Sequence, residues 1–117
     1  MGKEKMARVI IAESLKQAIG KKFKQEAATI FSLMATLREQ PKKGKLLAVI
    51  NNIAIKELKY EKYRFYFVAD NYRLRFLPVH ELTDLLIKFV RMSEKKDQQQ
   101  TIEDIKHILR QLGTEGF

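Results

Sequence analysis

The spacing of apolar positions changes along the chain, and the changes mark out elements. "ARVIIAE", residues 7–13, is a short run of mostly branched apolar side chains, the pattern of a β-strand. Ser14 stands three residues before Gln17, the spacing of a capping box, so a helix is expected from Leu15 with Leu15, Ala18 and Ile19 on one face. Gly20 and the Lys21–Lys22 pair weaken or end it, and Phe23 can still pack on it. Gln25 to Gln40 carries the clearest helical signal: Ala27, Ile30, Phe31, Met34 and Leu37 recur at helical spacing, and Pro41 stops the run.

After the basic loop "PKKGK" the period falls from about 3.6 residues to 2. "IAIKELKY" alternates imperfectly. "YRFYFVA" alternates well, with Tyr63, Phe65 and Phe67 on one side and Arg64, Tyr66 and Val68 on the other. Asp70 and Asn71 tolerate positive φ and are expected to form a two-residue hairpin turn. "YRLRF" then reads as the returning strand, extended by Leu77 and ended, or placed at an edge, by Pro78. "PVHELT" is ambiguous and has room for a helical turn. Asp84 to Met92 is a further strand, and "SEKKDQQQ" a polar loop. Ile102, Ile105, Ile108, Leu109 and Leu112 form the stripe of a closing helix, with Thr101 and Asp104 near capping-box spacing and Gly113 just past its end. The order is β-α-α, three or four antiparallel strands, then α. It predicts an α+β fold with helices packed on one face of a sheet.

A turn at Asp70–Asn71 would set Val68 against Arg73, Phe67 against Leu74, Tyr66 against Arg75 and Phe65 against Phe76. Phe65, Phe67, Leu74 and Phe76 then form a core face, and Arg64, Tyr66, Arg73 and Arg75 a basic face carrying one ring. A one-residue slip would reverse the assignment. Guanidinium groups meet phosphate bidentately and rings stack on unpaired bases, so this face suits RNA. The alternative is a solvated strand face on which arginine serves solubility.

Composition supports the polyanion reading. The 117 residues are enough for one domain, and 45% hydrophobic with 32% charged residues marks a globular chain. Twenty-three Lys+Arg against 14 Asp+Glu leave a net charge of +9, which attracts nucleic acid, anionic membrane or an acidic protein. Membrane is disfavoured, because no apolar run approaches the roughly 20 residues of a spanning helix. No apolar signal core follows the charges of Met1 to Lys5, so the expected location is the cytoplasm.

With no cysteine there is no disulfide, thiol nucleophile or cysteine-ligated zinc. His80 follows a strand end and is a candidate general base or a polar loop residue; His107 lies off the closing stripe. Two separated histidines without a spaced carboxylate set predict no metal site, and no phosphate-cradling glycine motif or nucleophile elbow predicts a cofactor. The stripes of the second and last helices are read first as core. A loosely attached last helix would leave a groove for a partner helix.

These motifs, taken in order over residues 7–112, resemble the RelE/ParE superfamily of toxin–antitoxin toxins, nearer to its HigB-like branch. "ARVIIAESLKQAI" resembles the first strand and helix, and "IFSLMATLREQPKKGKLL" the second helix with its proline-containing basic loop. Glu57, Leu58 and Lys59, then Tyr63 and Arg64, resemble a Glu-Leu-Arg segment leading into a Tyr-Arg strand. "FVRMSEKKD" places Arg91 and Lys95 at family cationic positions. Lys59 stands where arginine is usual, Met92 replaces one of a pair of lysines, and "NYRLRFLPVHELTD" resembles an insertion. Family ribonucleases often carry an aromatic or histidine near the C-terminus; here His107 and Phe117 lie beyond residue 100.

The resemblance implies a small RNase-like fold over 7–112, with 1–6 and 113–117 as flexible termini, in the toxin of a type II toxin–antitoxin pair. Its implied partners are mRNA, on or off the ribosome, and an acidic antitoxin. Its implied reaction needs no metal: the substrate's 2′-hydroxyl attacks the adjacent phosphate while cations stabilise the extra charge. Arg64 and Arg91 are the expected phosphate clamps, with Lys59 or Lys95 as charge stabiliser or proton carrier. Tyr66 is expected to stack a base, with Arg73 and Arg75 on its face, and Lys42, Lys43 and Lys45 are expected outer contacts to phosphate. The other reading is a non-catalytic member, either a gyrase-directed toxin or a module that binds RNA or antitoxin.

Overall fold

The computed structural model describes residues 6–117; residues 1–5, most of the N-terminal segment expected to be flexible, lie outside the described residues. Strand β1 (Arg8–Ile11) leads into α1 (Glu13–Phe23), and α2 (Ala27–Ala35) follows after one 3-10 turn. Three strands come next: β2 (Lys45–Ile50), β3 (Ile53–Tyr60) and β4 (Tyr63–Asp70). Helix α3 (Asn71–Phe76) precedes β5 (Leu86–Glu94), and α4 (Gln98–Leu112) closes the chain before a final 3-10 turn. The fold is α+β on a five-stranded mixed sheet, in the order β1-β5-β4-β3-β2. Only β1 runs parallel to its neighbour.

The helices cover both faces of this sheet, not one. On one face Leu15, Ile19, Ala27, Ile30, Met34 and Leu37 of the first helical segments pack on Leu58, Phe65, Phe67 and Phe89. On the other, Ile105 and Leu109 of α4 close over Ile55, Tyr66, Val68 and Val90. Full burial of an aliphatic side chain is worth about 1.5–3 kcal/mol, so this short stripe is a firm anchor for α4. The central strands β3 and β4 are therefore sealed on both sides. Their second face reads as polar only if Arg64 is weighted above its apolar neighbours Tyr66 and Val68.

The hairpin expected at Asp70–Asn71 does not form. Asp70 is instead the N-cap of α3, its Oδ1 accepting from the Arg73 backbone N–H at 3.1 Å. Aspartate suits either role, because its carboxylate can close a turn or cap a helix. "YRLRF" is thus helical, and the pairing of Val68, Phe67, Tyr66 and Phe65 with residues 73–76 is replaced by pairing with β3 and β5. The hairpin turns lie elsewhere. Asn51 and Asn52, at φ 50° and 65°, join β2 to β3, and Glu61, at φ 55°, turns β3 into β4. "PVHELT" holds a helical turn over Val79–Glu81. Within "SEKKDQQQ" the strand runs to Glu94 and α4 starts at Gln98, three residues ahead of the Thr101 cap expected from sequence.

Two glycine-bearing segments hold the chain close to the sheet. Gly44, at φ +101°, brings the basic loop against it, where a Cβ would stand 2.8 Å from Phe67 Cζ. At the other end of the chain, Gly113–Gly116 forms one 3-10 turn, and Phe117 packs against the cores on both sides of the sheet.

Candidate nucleic-acid interface

Strand register assembles a polar band on the α4 side of the sheet. Lys45 of β2 opposes Glu57 of β3, Glu57 opposes Tyr66 of β4, and Tyr66 opposes Arg91 of β5. In the adjacent row Lys59 opposes Arg64, and Arg64 opposes Ser93. Side chains directly opposite on antiparallel strands share a face. Five of the residues expected from sequence (Lys45, Lys59, Arg64, Tyr66 and Arg91) therefore meet across four strands. Lys95 stands just past β5, its backbone N–H bonded to the Lys62 carbonyl at 3.2 Å, with an exposed side chain.

Arg64 is not the solvent-facing side chain its strand position implied: 7% of it is exposed. Its Nε lies 3.8 Å from Glu57 Oε2, and its Nη1 donates to the Tyr63 carbonyl at 3.2 Å. Gln98, in the first turn of α4, donates from Nε2 to Glu57 Oε1, so the helix start caps the carboxylate from above. Tyr66 is fully buried, and its hydroxyl shares a 2.8 Å hydrogen bond with Ser93 Oγ. Burial raises the Tyr66 phenol above its usual range, against the opposing pull of that hydrogen bond. With α4 in place the ring offers no face for a base to stack on. Arg91 is half-buried; its Nη1 donates to the Val90 carbonyl at 2.8 Å, and its guanidinium lies over the Phe117 ring, 5.1 Å from the centroid.

Other expected contacts stand apart. Arg73 and Arg75 belong to α3, beyond the far end of β4, a strand length of about 20 Å from Arg64. Arg73 Nη2 donates to the Thr83 carbonyl at 3.1 Å, and Arg75 stacks over Phe76 at 5.2 Å. Lys42 is exposed on the loop before β2, and Lys43 Nζ reaches Thr36 Oγ1 at 3.3 Å. His80 is exposed beside Glu81 at 3.6 Å, and His107 is exposed on α4. Among the described residues no three His, Cys, Asp or Glu side chains cluster so as to hold a metal ion.

Three participants were not identified from sequence. Glu57, Ser93 and Gln98 enter the band through register and through the packing of α4, and a single glutamate in "KELKY" carries no mark of this. The assembled set can do two kinds of chemistry. Lys45, Lys59, Arg64 and Arg91 attract a phosphate chain, and Glu57 beside Arg64 sets a proton acceptor next to a phosphate-binding cation. In comparison with known proteins, no family model, no curated protein and no solved structure matches this chain.

Proposed function

We propose that this chain is the toxin component of a type II toxin–antitoxin system, a cytoplasmic RelE/ParE-type endoribonuclease that cuts mRNA, on or off the ribosome, without a metal ion. The observation that carries this reading is the cross-strand band, which gathers Lys45, Lys59, Arg64 and Arg91 beside Glu57 from four separate segments. The order β-α-α, four strands and α supports it, with α3 falling in the segment that resembles an insertion.

In this mechanism Glu57 accepts the proton of the substrate's 2′-hydroxyl. The O2′–P bond forms and the P–O5′ bond breaks. Arg64 and Arg91 hold the phosphate and stabilise its added charge. Lys59 or Lys95 supplies a proton to the leaving 5′-oxygen, giving a 2′,3′-cyclic phosphate and a free 5′-hydroxyl. The first turn of α4 draws aside when RNA binds, because Gln98 and the helix cover Glu57 and Tyr66. The acidic antitoxin is met by the remaining positive charge.

Inducible expression followed by mapping of mRNA 5′ ends tests the proposal. Growth arrest with new, clustered 5′ ends is expected. A second reading, binding without cleavage, is favoured by Arg64 being held by Glu57 and by Tyr66 being sealed. Arrest with intact mRNA would select it, and inhibition of gyrase supercoiling would then name gyrase as the target.

A further inference from the structure

The opposite face of β3 carries a second buried cation. Lys56 is 7% exposed and forms part of the wall of a cavity of about 390 Å³ between the β2 edge, α3 and the basic loop. Its Nζ donates to the Lys42 carbonyl at 2.9 Å and lies 5.9 Å from the Phe67 ring centroid. An ammonium has three protons to donate, and one is used on that carbonyl. Among the described residues no carboxylate pairs with Lys56, and no Asp or Glu lines the cavity. Lys42 and Arg75 flank it, while Leu46, Val49 and Leu74 supply apolar wall. Leu46 and Val49 stay 53% and 43% exposed, so the wall is open at the β2 edge. Burial and the nearby Lys42 charge both lower the Lys56 pKa, which is the condition of a buried cation lacking a countercharge.

We infer that this cavity binds a small organic anion, an acid group carried on an apolar chain or ring. The head sits at the Lys56 ammonium between Lys42 and Arg75, and the body lies against Leu46, Val49 and Leu74. Small-ligand sites combine this size, a mainly apolar lining and a few convergent polar groups. A bound anion supplies the countercharge that the fold withholds, in a charge-assisted hydrogen bond. The site is independent of the polar band, because Lys56 points to the other side of β3 from Glu57.

The test uses 8-anilinonaphthalene-1-sulfonate, an aromatic anion that fluoresces in apolar surroundings, with decanoate as competitor. One dye per chain, displaced by decanoate, is expected. Lys56→Met and Val49→Glu should each weaken binding at least tenfold with unchanged circular dichroism. The uncharged analogue N-phenyl-1-naphthylamine should bind at least tenfold more weakly. Val49 is exposed enough that its variant decides the question even if Lys56→Met fails to fold. Dye bound equally by the Val49→Glu protein, or a neutral dye bound as tightly as the anionic one, would overturn the assignment.

Discussion

Arg64 and Lys56 lie on neighbouring central strands, are equally buried, and face opposite sides of one sheet. Arg64 has a carboxylate at 3.8 Å and backbone carbonyls at its Nη1. Lys56 has one carbonyl, a ring and a second lysine nearby. A planar guanidinium reaches several acceptors at once and tolerates burial, whereas an ammonium in the same situation loses charge stability. The first region is a satisfied polar cluster under α4. The second is an electrostatically open one beside α3.

The largest effect should come from breaking the satisfied pair. Glu57→Ala leaves Arg64 buried without its countercharge and should cost about 3 kcal/mol, read from the urea midpoint. Lys56→Met should move stability the other way, by up to about 1 kcal/mol at neutral pH. The sign follows from linkage. A lysine whose folded pKa lies below 10.5 weakens the fold in full at any pH below that folded value, where both states carry the proton. That penalty fades as pH rises through the folded pKa toward 10.5, so the advantage of Lys56→Met should shrink over the same window.

Gly44→Ala should cost about 2 kcal/mol, since it meets both a positive φ and the Phe67 ring. A matching loss in the melts of Gly44→Ala and of Phe67→Leu would tie the basic loop to the sheet face.

A smaller effect concerns the basic loop and is read by salt. A Lys42/Lys43/Lys45 triple alanine should flatten the dependence of RNA affinity on log salt by up to about 2, at roughly 0.7 per contact with a single strand. Arg73→Ala, far from the band, should leave that slope unchanged.

The smallest effect is spectroscopic. Tyr60 donates its hydroxyl to Glu26 Oε1 at 2.7 Å, and mainly for that reason its pKa is pushed up to about 12. Its contribution to stability is present below pH 10 and is lost as pH rises toward 12. Ultraviolet titration of Glu26→Gln should bring this phenol back toward 10.

The first two helices were legible because their apolar residues keep helical spacing, although α2 runs only over Ala27–Ala35 and passes into a 3-10 turn at Thr36–Arg38 ahead of Pro41, where the sequence placed its stop. The fold class followed from the order of elements. The second face of β3 and β4 was not legible. A strand buried on both sides alternates aromatic with apolar residues, and Arg64 at its start gave that face a polar look. The strand over 72–76 was an error of the same kind: five residues of alternating apolar and basic type fit a helical turn as well as a strand, and Asp70 caps the helix. Strand β2 supplied the fourth antiparallel member instead, through the Asn51–Asn52 turn. Lys59 and Arg91 became candidates through the resemblance and Arg64 already through strand alternation, whereas Glu57 needed the register that sets it between Lys45 and Tyr66.

The central claim is that the band under α4 cuts RNA. Purified protein should be incubated with ribosome-bound mRNA in EDTA, and the ends of the fragments identified. Wild type should give 2′,3′-cyclic phosphate ends, the exposed-site variant Lys59→Ala should lower the rate at least tenfold, and Arg64→Ala should abolish cleavage in protein that remains folded. Intact mRNA with the wild type, or undiminished cleavage in both variants, would contradict the account.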